Sequence, residues 1–394
     1  MNKGDLPRRV APLMWRVASD RQEGWAQPMS NRMEMGAVVA LVAGALSTGA
    51  ASMLVRLTET GPTAAAFWRG CLALPLLAIW ALVDSRGEEA PRRELRDAKR
   101  QNARASADER APAEARSPAE ARPSAEARPL AEARVPAQAR PRRGSTGLVG
   151  LLAGFRDPGF LLAGAYFAGD LALWHWSLLL TSVAASTLEA SLAPLVVILF
   201  AWLRWKERPS ARFLGAALFA FVGLLLVVSP KFAKGGSAFL GDALGLGTAC
   251  FYAAYIVAVA RLRARYSTGV VMFNSTVVFT VLLLPLGLTQ KFLPDDLSGW
   301  AALAGCAVAA QTLGQGLIAY ALAHLRPTFS SLGLLLQTLG AAASAWLVLG
   351  ERLAAIQIIG ALVIVGAITL ARSARDAAPA ASSAMPQSLG VIRD

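Results

Sequence analysis

The sequence predicts an all-α integral membrane protein with ten transmembrane helices arranged as two inverted five-helix repeats. Of its 394 residues, 55% are hydrophobic and only 16% are charged, which would leave a soluble domain with uncovered apolar surface. One pattern also occurs twice: an apolar stretch ends in Glu-Arg at 207–208, and another does so at 351–352, about 144 residues later. Repeated halves in an apolar chain are typical of secondary transporters, whose halves enclose a site near the membrane midplane.

Ten apolar runs are long enough for a helix to cross the hydrocarbon core of roughly 30 Å, which takes about 20 residues. Five lie in a first repeat, 35–229, and five in a second repeat, 238–371. An odd number of spans in each half gives the two repeats opposite orientations. The predicted spans are 35–55, 64–83, 159–180, 183–203, 211–229, 239–260, 269–289, 299–322, 328–349 and 354–371.

The lysines and arginines between the spans predict the orientation of the chain. With the N-terminus inside, sixteen basic residues lie in inner segments and five in outer segments, before residues 84–157 are counted. The N-terminal arm (1–34) and the C-terminal tail (372–394) are therefore predicted to be cytoplasmic. The Ala- and Arg-rich composition suggests a bacterial cell (inner) membrane. This topology accounts for the formal net charge of +13 without a nucleic-acid partner.

Residues 84–157 interrupt the first repeat with a composition unlike the rest of the chain. A hexapeptide, Ala-Glu-Ala-Arg-x-Pro with small variations, recurs from 113 to 141. A proline every few residues prevents a continuous helix, and the segment has little apolar surface to bury. We predict a disordered cytoplasmic loop between spans two and three. It is either a tolerated low-complexity expansion or a surface that binds lipid or a partner.

Several stretches, taken together and in order, resemble one transporter family. They are Gly-Asp-Leu-Ala-Leu-Trp-His-Trp at 169–176, Thr-Ser-Val-Ala-Ala-Ser-Thr-Leu at 181–188 and Ala-Pro-Leu at 193–195, with Gln-Thr-Leu-Gly-Gln-Gly at 311–316 and Ser-Ser-Leu-Gly at 330–333. The set resembles the EamA-like branch of the drug/metabolite transporter (DMT) superfamily over 35–83 and 159–371. The resemblance implies two EamA repeats and transmembrane transport. Span nine departs from the family pattern because Gln337-Thr338 stands in place of the usual proline, and the insertion 84–157 is a second departure.

Ionisable residues inside the spans are the first candidates for a solute or proton pathway, because each costs about 2.5–3.5 kcal/mol at a helix centre. Glu189 lies in span four and Asp170 in the middle of span three. Asp170 is a proton acceptor, a ligand for a cationic solute or a partner for Arg69. Arg69, near the outer end of span two, is either a carboxylate clamp or an interface anchor. His175 is either a proton relay or a hydrogen-bonded packing residue.

The remaining candidates are uncharged side chains that would line facing walls of a central cavity. Ser186 lies on the same helical stripe as Glu189, and Trp174 lies one turn after Asp170. The alternative role for the polar members is hydrogen bonding between helices, at about 0.6 kcal/mol per bond. The second-half candidates are Asn274, the repeat counterpart of Arg69, and Gln311, Gln315, Ser330 and Gln337.

The function predicted from these features is export of a small organic metabolite or drug-like solute across the plasma membrane by alternating access. Proton coupling through the buried acids is a further hypothesis. The alternatives are a membrane sensor or scaffold that uses the basic loop, and an intramembrane enzyme. An enzyme is disfavoured because the two histidines, His175 and His324, do not form a zinc-protease motif.

No catalytic residue, metal site or cofactor is predicted, since the three cysteines lie in apolar runs without ligand spacing. The expected partners are a small-molecule solute and the lipid bilayer, with no nucleic acid. The sequence leaves a homodimer open.

Overall fold

The computed structural model describes residues 31–84, 157–180, 183–205, 209–232, 239–350 and 353–376. Every regular element within these residues is a helix, which confirms the all-α prediction. The predictions for most of the N-terminal arm, for the loop 85–156, for the end of the C-terminal tail and for both Glu-Arg pairs lie outside the described residues.

The helices follow the predicted apolar runs closely, and the last one continues to Asp376, beyond the predicted end of the tenth span. By length and composition, eight segments in the described part of the chain are able to cross a membrane. They are Met33–Val55, Pro62–Asp84, Ala211–Ser229, Phe239–Arg263, Thr268–Gly287, Leu297–Leu322, Pro327–Val348 and Ala355–Ser373. In chain order the helices are α1 (Asn31–Arg56), α2 (Pro62–Asp84), α3 (Pro158–Leu180), α4 (Val183–Ala190), α5 (Ala193–Trp205), α6 (Ala211–Phe232), α7 (Phe239–Arg263), α8 (Thr268–Gly287), α9 (Leu297–Leu322), α10 (Pro327–Gly333), α11 (Leu336–Leu349) and α12 (Ala355–Asp376).

Two of the predicted spans are broken rather than continuous. The fourth divides into α4 and α5 at residues 191–192, beside Pro194, which has no N–H to donate to the preceding turn. The ninth divides into α10 and α11 at 334–335, although Gln337-Thr338 replaces the usual proline. There the backbone tightens into short turns, with Gln337 N–H donating to the Leu334 carbonyl at 2.9 Å and Thr338 N–H to that of Leu335 at 3.1 Å.

The principal helix pairs each join one helix from each predicted half of the chain: α3 with α7, α6 with α12 and α1 with α11. Glycines permit the closest approach. A Cβ atom placed on Gly223 of α6 would lie 2.8 Å from the carbonyl oxygen of Gly360 in α12. One placed on Gly360 would lie 2.6 Å from the carbonyl oxygen of Gly223. Small residues at such crossings let backbones touch, which is a main source of helix association in lipid.

The loop 57–61 between α1 and α2 is joined to the loop 288–296 between α8 and α9. Gly61 N–H donates to the Lys291 carbonyl at 2.9 Å, and the Lys291 ammonium pairs with Asp295 and with Glu59. The hydrogen bonds to these carboxylates raise the pKa of Lys291, and the one to Asp295 has the larger effect. Asp296 caps α9 by accepting from the Gly299 N–H at 2.8 Å, and this hydrogen bond lowers the pKa of Asp296. These contacts fix the α1–α2 hairpin to the α8–α9 hairpin.

Alanine substitution at the α6–α12 crossing is expected to lower stability. At Gly223 or Gly360 the added methyl group would meet backbone atoms, and overpacking of this kind costs about 1–3 kcal/mol. Gly215 and Gly366 are matched controls on the same two helices, because a Cβ atom there meets nothing within 4 Å. The measurement is the melting temperature in detergent. Gly223→Ala and Gly360→Ala should lower it, and Gly215→Ala and Gly366→Ala should leave it unchanged or raise it. Equal effects at all four positions would contradict the crossing.

Candidate functional site

Arg69 of α2 has its guanidinium inside the helix bundle. The Cζ atom lies 5.4 Å from the centroid of the Phe167 ring on α3. The Nε and Nη2 atoms are buried and have no hydrogen-bond partner within the described part of the protein. A buried guanidinium whose donors are unused has lost its hydration without receiving protein acceptors in exchange, which is energetically costly. The group is therefore poised to receive an acceptor from elsewhere.

Asp170 lies one helical turn after Phe167 on α3 and is 9% exposed. It is within electrostatic reach of Arg69, and both are within reach of Tyr252 and Tyr255 on α7. The described residues contain no direct hydrogen bond or ion pair between Arg69 and Asp170. The two charges that the sequence suggests as partners therefore lie close enough to interact electrostatically, but they form no direct ion pair.

Aromatic rings form one wall beside these charges. Phe167 and Tyr255 stack with centroids 4.5 Å apart, and Tyr252 lies 6.1 Å from Tyr255 in a parallel orientation. Phe279 of α8 meets Phe167 edge to face at 5.1 Å. The close pairing of α3 with α7 produces this wall. It gives the site an apolar surface beside the Arg69 guanidinium.

Amide side chains from α9 and α11 complete the surroundings of Tyr252. Gln337 Nε2 donates to the Tyr252 hydroxyl at 3.0 Å, and Gln315 lies within hydrogen-bond reach of the same group. Gln311 Nε2 donates to the Thr276 hydroxyl at 3.0 Å. Gln311 and Gln315 are buried, with 1% and 3% of their surface exposed. Their Oε1 atoms have no hydrogen-bond partner within the described residues.

We use the name central cluster for the set that these contacts and electrostatic couplings connect, together with Gln311, which lies about one turn before Gln315 on α9. Its members are Arg69, Phe167, Asp170, Tyr252, Tyr255, Gln311, Gln315 and Gln337.

Part of the polar lining lies on an irregular stretch of α9. Residues Ala307–Gly314 form a π-helical segment, in which the Thr312 hydroxyl also donates to the Ala307 carbonyl at 2.9 Å. Such segments are rare in proteins, and those that occur often lie at functional sites. This segment carries Gln311, and Gln315 immediately follows it.

Other predicted residues are buried, and several have unused hydrogen-bonding atoms. His175 lies within electrostatic reach of Arg69 and has an unpartnered Nδ1, and its ring is 5.2 Å from that of Trp174. Asn274 donates to the Val270 carbonyl of its own helix at 2.9 Å, and its Oδ1 atom is unpartnered. The Oγ atoms of Ser186 and Ser330 are also buried without a partner in the described region.

Glu189 lies in different surroundings from Asp170, the other acid that the sequence places inside a span. Its side chain lies against Gly245 of α7, and its carboxyl group is within hydrogen-bond reach of Asp242, one turn earlier on that helix. Its Oε2 atom is buried and unpartnered. Asp170, by contrast, interacts electrostatically with Arg69 and the tyrosines. The two predicted acids therefore belong to two separate groups of contacts.

Comparison with known proteins finds similarity to one transporter family. The model of the EamA-like transporter family matches residues 239–373, about a third of the chain. The chain is also similar to the pseudopaline exporter CntI of Pseudomonas aeruginosa, from strains UCBPP-PA14 and PAO1. In each case the identity is 28% over 217 residues, which cover 55% of this chain and 75% of the relative.

A solved crystal structure shares the fold of this chain. The TM-score is 0.57 at 15% identity, and the match covers 88% of this chain and 98% of the other. The apolar helices indicate a multi-pass membrane protein, and the sequence similarities are to transporters. Within the described residues, no group of three or more His, Cys, Asp or Glu side chains is placed to hold a metal ion.

Phe167, Tyr252, Tyr255 and Asp242 were not predicted as site residues from the sequence. Other aromatic residues of the spans make different contacts. Trp68 donates through Nε1 to the Phe292 carbonyl at 2.8 Å in the loop contact described above. Tyr320 stacks on His324. A usable signal was present in the sequence, because Tyr252 and Tyr255 lie one turn apart on a span, but only the pairing of α3 with α7 selects them.

Proposed function

We propose that this protein exports a small organic solute across the plasma membrane by alternating access around the central cluster. Two inverted five-helix repeats would rock about this site and expose it to one side at a time. Support comes from similarity to a transporter family and to an exporter, and from principal helix pairs that each join one helix of each half.

The observation that carries the proposal is the convergence of unsatisfied polar groups on the interior of an apolar bundle. Unpartnered donors and acceptors come from Arg69 on α2 and from Gln311 and Gln315 on α9. Inside a membrane such groups must find partners within the protein or line a cavity, and they are retained where they serve a function. A solute that brings its own polar groups would supply the missing partners.

The proposed topology has ten spans with both termini in the cytoplasm. α3 is 23 residues long, and α4 and α5 together extend over 183–205, which would supply the two spans beyond the eight segments identified by length and composition. The breaks between α4 and α5 and between α10 and α11 lie at similar places in the two halves. Such broken helices are common at the binding sites of transporters built from repeats.

The topology makes a direct labelling prediction for two exposed loop positions. In a chain whose three cysteines are replaced by serine, Lys291→Cys should react with a membrane-impermeant maleimide applied to intact cells. Arg265→Cys, the matched control, should react only after the membrane is permeabilised. The reverse pattern would place the termini outside the cell, and labelling of both positions from one side would contradict the proposed number of spans between them.

Solute export is tested with the full-length protein in detergent and then in liposomes. A metabolite panel is screened for compounds that raise the melting temperature, because any ligand of the native state stabilises it. Compounds that do so are then assayed for transport in proteoliposomes. We expect at least one compound to be both bound and transported, and transport should be lost in variants of the central cluster. A protein that transports no member of a broad panel would contradict the proposed function.

We further propose that export is coupled to protons through buried carboxyl groups. Asp170 adjoins the binding site, and Glu189 with Asp242 links α4 to α7. Carboxyl groups held inside a bundle can exchange protons between its two accessible states, as acids do in many transporters. An imposed pH gradient should therefore change the rate of solute movement in proteoliposomes.

A further inference from the structure

Basic side chains from two neighbouring helices lie together at one end of the bundle, outside the central cluster. The Cζ atom of Arg261, in the last turn of α7, lies 6.0 Å from the centroid of the Phe200 ring on α5. Arg204, in the last turn of α5, follows Phe200 by one turn on the same helix face. The two guanidinium groups interact electrostatically. Two positive charges are therefore held near each other where α5 contacts α7.

The other arginine in the last turn of α7 makes different contacts. Arg263 donates through Nε to the Ala319 carbonyl of α9 at 3.1 Å, and through Nη1 to the Tyr266 carbonyl just after α7. The Tyr266 ring packs against Phe160 of α3, with centroids 4.8 Å apart. Arg263 thus joins α7 to α9, whereas Arg261 lies against α5.

The surface around Arg204 and Arg261 faces outward from the bundle and is apolar below the charges. Phe200, the ring next to Arg261, is 36% exposed, so the pair of arginines lies at the outer surface of the protein. Ala258, one turn before Arg261, is only half-buried and has a small side chain, which leaves a shallow cleft between the helices. We use the name α5–α7 cleft for the surface formed by Leu199, Phe200, Leu203, Arg204, Ala258 and Arg261.

A phosphate diester fits the two arginines of the α5–α7 cleft. Arginine binds phosphate oxygens through parallel N–H groups, and one phosphate can accept from two guanidinium groups. Both arginines also have other interactions within the protein, but each guanidinium has five N–H donors and can serve a phosphate in addition. The hydroxyl of Tyr166 on α3, which interacts electrostatically with Arg261, is a further donor.

The apolar part of the cleft fits an acyl chain. Leu199 and Leu203 lie one turn apart on α5 and are 49% and 68% exposed, so they form an apolar ridge that leads toward Arg204. Helix ends in a membrane protein lie near the headgroup region, while the turns before them contact hydrocarbon. The cleft therefore presents cations at the depth of a headgroup and apolar side chains at the depth of an acyl chain.

We propose that the α5–α7 cleft binds one anionic glycerophospholipid, such as phosphatidylglycerol, whose phosphate bridges Arg204 and Arg261. An acyl chain of the lipid lies along Leu199 and Leu203. The lipid joins α5, the second part of the broken span four, to α7. The proposed topology places this end of the bundle at the cytoplasmic leaflet, where basic sites between helices bind anionic headgroups. The proposal does not depend on solute export and concerns a surface separate from the central cluster.

Other phosphate-bearing molecules match the cleft less well. Phosphatidylcholine has the same phosphate and chains, but its choline group adds a positive charge beside two arginines. A soluble phosphate ester would pair with the arginines and leave the apolar ridge without a partner. Both differences can be measured.

The experiment measures lipid binding to the full-length protein by native mass spectrometry. Delipidated protein in detergent is titrated with dioleoylphosphatidylglycerol or with dioleoylphosphatidylcholine, which carry the same acyl chains. We expect the first phosphatidylglycerol to bind roughly tenfold more tightly than phosphatidylcholine, because each arginine near a membrane surface favours an anionic lipid. Millimolar glycerol 3-phosphate, which lacks the chains, should not displace it. Equal affinity for the two lipids, or displacement by glycerol 3-phosphate, overturns the inference.

Variants locate the preference for the anionic lipid. Arg204→Gln and Arg261→Gln should each reduce it severalfold, and the double variant should abolish it. Arg326→Gln removes an exposed positive charge from the loop after α9 and is the matched control, which should keep the full preference. A double variant that keeps the full preference overturns the assignment to this cleft.

A photoreactive lipid tests the same site without any substitution, and it decides the question if a variant does not fold. Phosphatidylglycerol with a diazirine on one acyl chain is bound to the wild-type protein and activated by light. We expect the labelled peptides to come mainly from α5 and from the second half of α7. Labelling spread evenly over the exposed faces of other helices, such as α6 and α12, overturns the inference.

Discussion

Replacement of Arg69 by glutamine is expected to abolish measurable solute transport while leaving the empty protein at least as stable as the wild type. The described part of the central cluster contains no cation besides Arg69, and the buried Nε and Nη2 atoms have no protein partner. Loss of one partner from a buried, hydrogen-bonded charge pair costs about 2–5 kcal/mol. At 1.4 kcal/mol per factor of ten, solute affinity should fall by roughly 30- to 4,000-fold.

Stability should move in the opposite direction, and this distinguishes a binding role from a structural one. Arg69 forms no direct ion pair within the described residues, and desolvation outweighs its attraction to Asp170, so removal of its charge relieves a net cost. The melting temperature of solute-free Arg69→Gln should therefore be equal to that of the wild type or higher. If Arg69 instead held α2 against α3 through an ion pair, the same variant would melt at a lower temperature. A large loss of stability together with lost transport would contradict the binding role.

The measurements are transport in proteoliposomes and melting of the purified protein without solute. Arg69→Lys should retain part of the activity, because an ammonium group keeps the charge but cannot match a carboxylate with a planar fork. Arg265→Gln, at an exposed loop position, is the control for loss of positive charge and should alter neither quantity.

Apolar run length predicted the helices well, because bilayer thickness sets how many residues a span requires. Where the chain departs from the prediction, local backbone chemistry decides. Span four breaks beside Pro194, as a residue without an N–H requires, whereas span nine breaks at Leu334 and Leu335 without a proline nearby. The second break could not be read from propensity, since it consists of short-turn hydrogen bonds between apolar residues.

The repeated pattern in the sequence did not by itself predict the contact between the two predicted halves or the site. Gly223 and Gly360, two of the glycines that follow the repeated Glu-Arg pairs, meet each other where α6 crosses α12. Arg69 and Asp170 could be named because charge is rare inside a span. Tyr252 and Tyr255 could not, because aromatic residues in spans resemble packing residues until the tertiary pairing of α3 with α7 is known.

Glu189 shows most clearly what sequence spacing cannot supply. Its stripe with Ser186 predicted a wall of the same cavity as Asp170, but α4 ends at Ala190 and the side chain meets α7 at Gly245. Asp242, the acid beside it, lies far away in sequence, in the first turn of α7. A pair of carboxyl groups on two helices depends on tertiary packing, and the spacing of residues within one span does not reveal it.

Glu189→Gln is expected to make transport insensitive to an imposed pH gradient, with a smaller effect on solute affinity. A hydrogen bond between two carboxyl groups requires that one of them carries a proton, and Glu189 is within such reach of Asp242. If α4 separates from α7 when the carrier changes its accessible side, the bond breaks and the proton can leave. With glutamine at 189 the amide donates permanently, so no proton has to be taken up or released at each cycle.

Matched variants distinguish a proton-binding site from a hydrogen bond that only holds α4 against α7. Asp242→Asn should also remove the response to the gradient, whereas Glu59→Gln, which removes an exposed carboxylate of the loop 57–61, should not. If the hydrogen bond only held the two helices together, either amide variant could still form it. Both variants would then leave the pH response intact.

Gly245→Ala provides an independent test of the same contact without altering any charge. Its methyl group would lie 3.0 Å from the Cβ and Cδ atoms of Glu189 and overlap the carboxyl group. Gly247→Ala, which would meet only the flexible Leu173 side chain at 3.2 Å, is the control. We expect Gly245→Ala to weaken the pH response severalfold and Gly247→Ala to retain it. An unchanged pH response in Gly245→Ala, Glu189→Gln and Asp242→Asn alike would mean that the driving ion binds elsewhere, and Asp170 beside Arg69 would be the next acid to test.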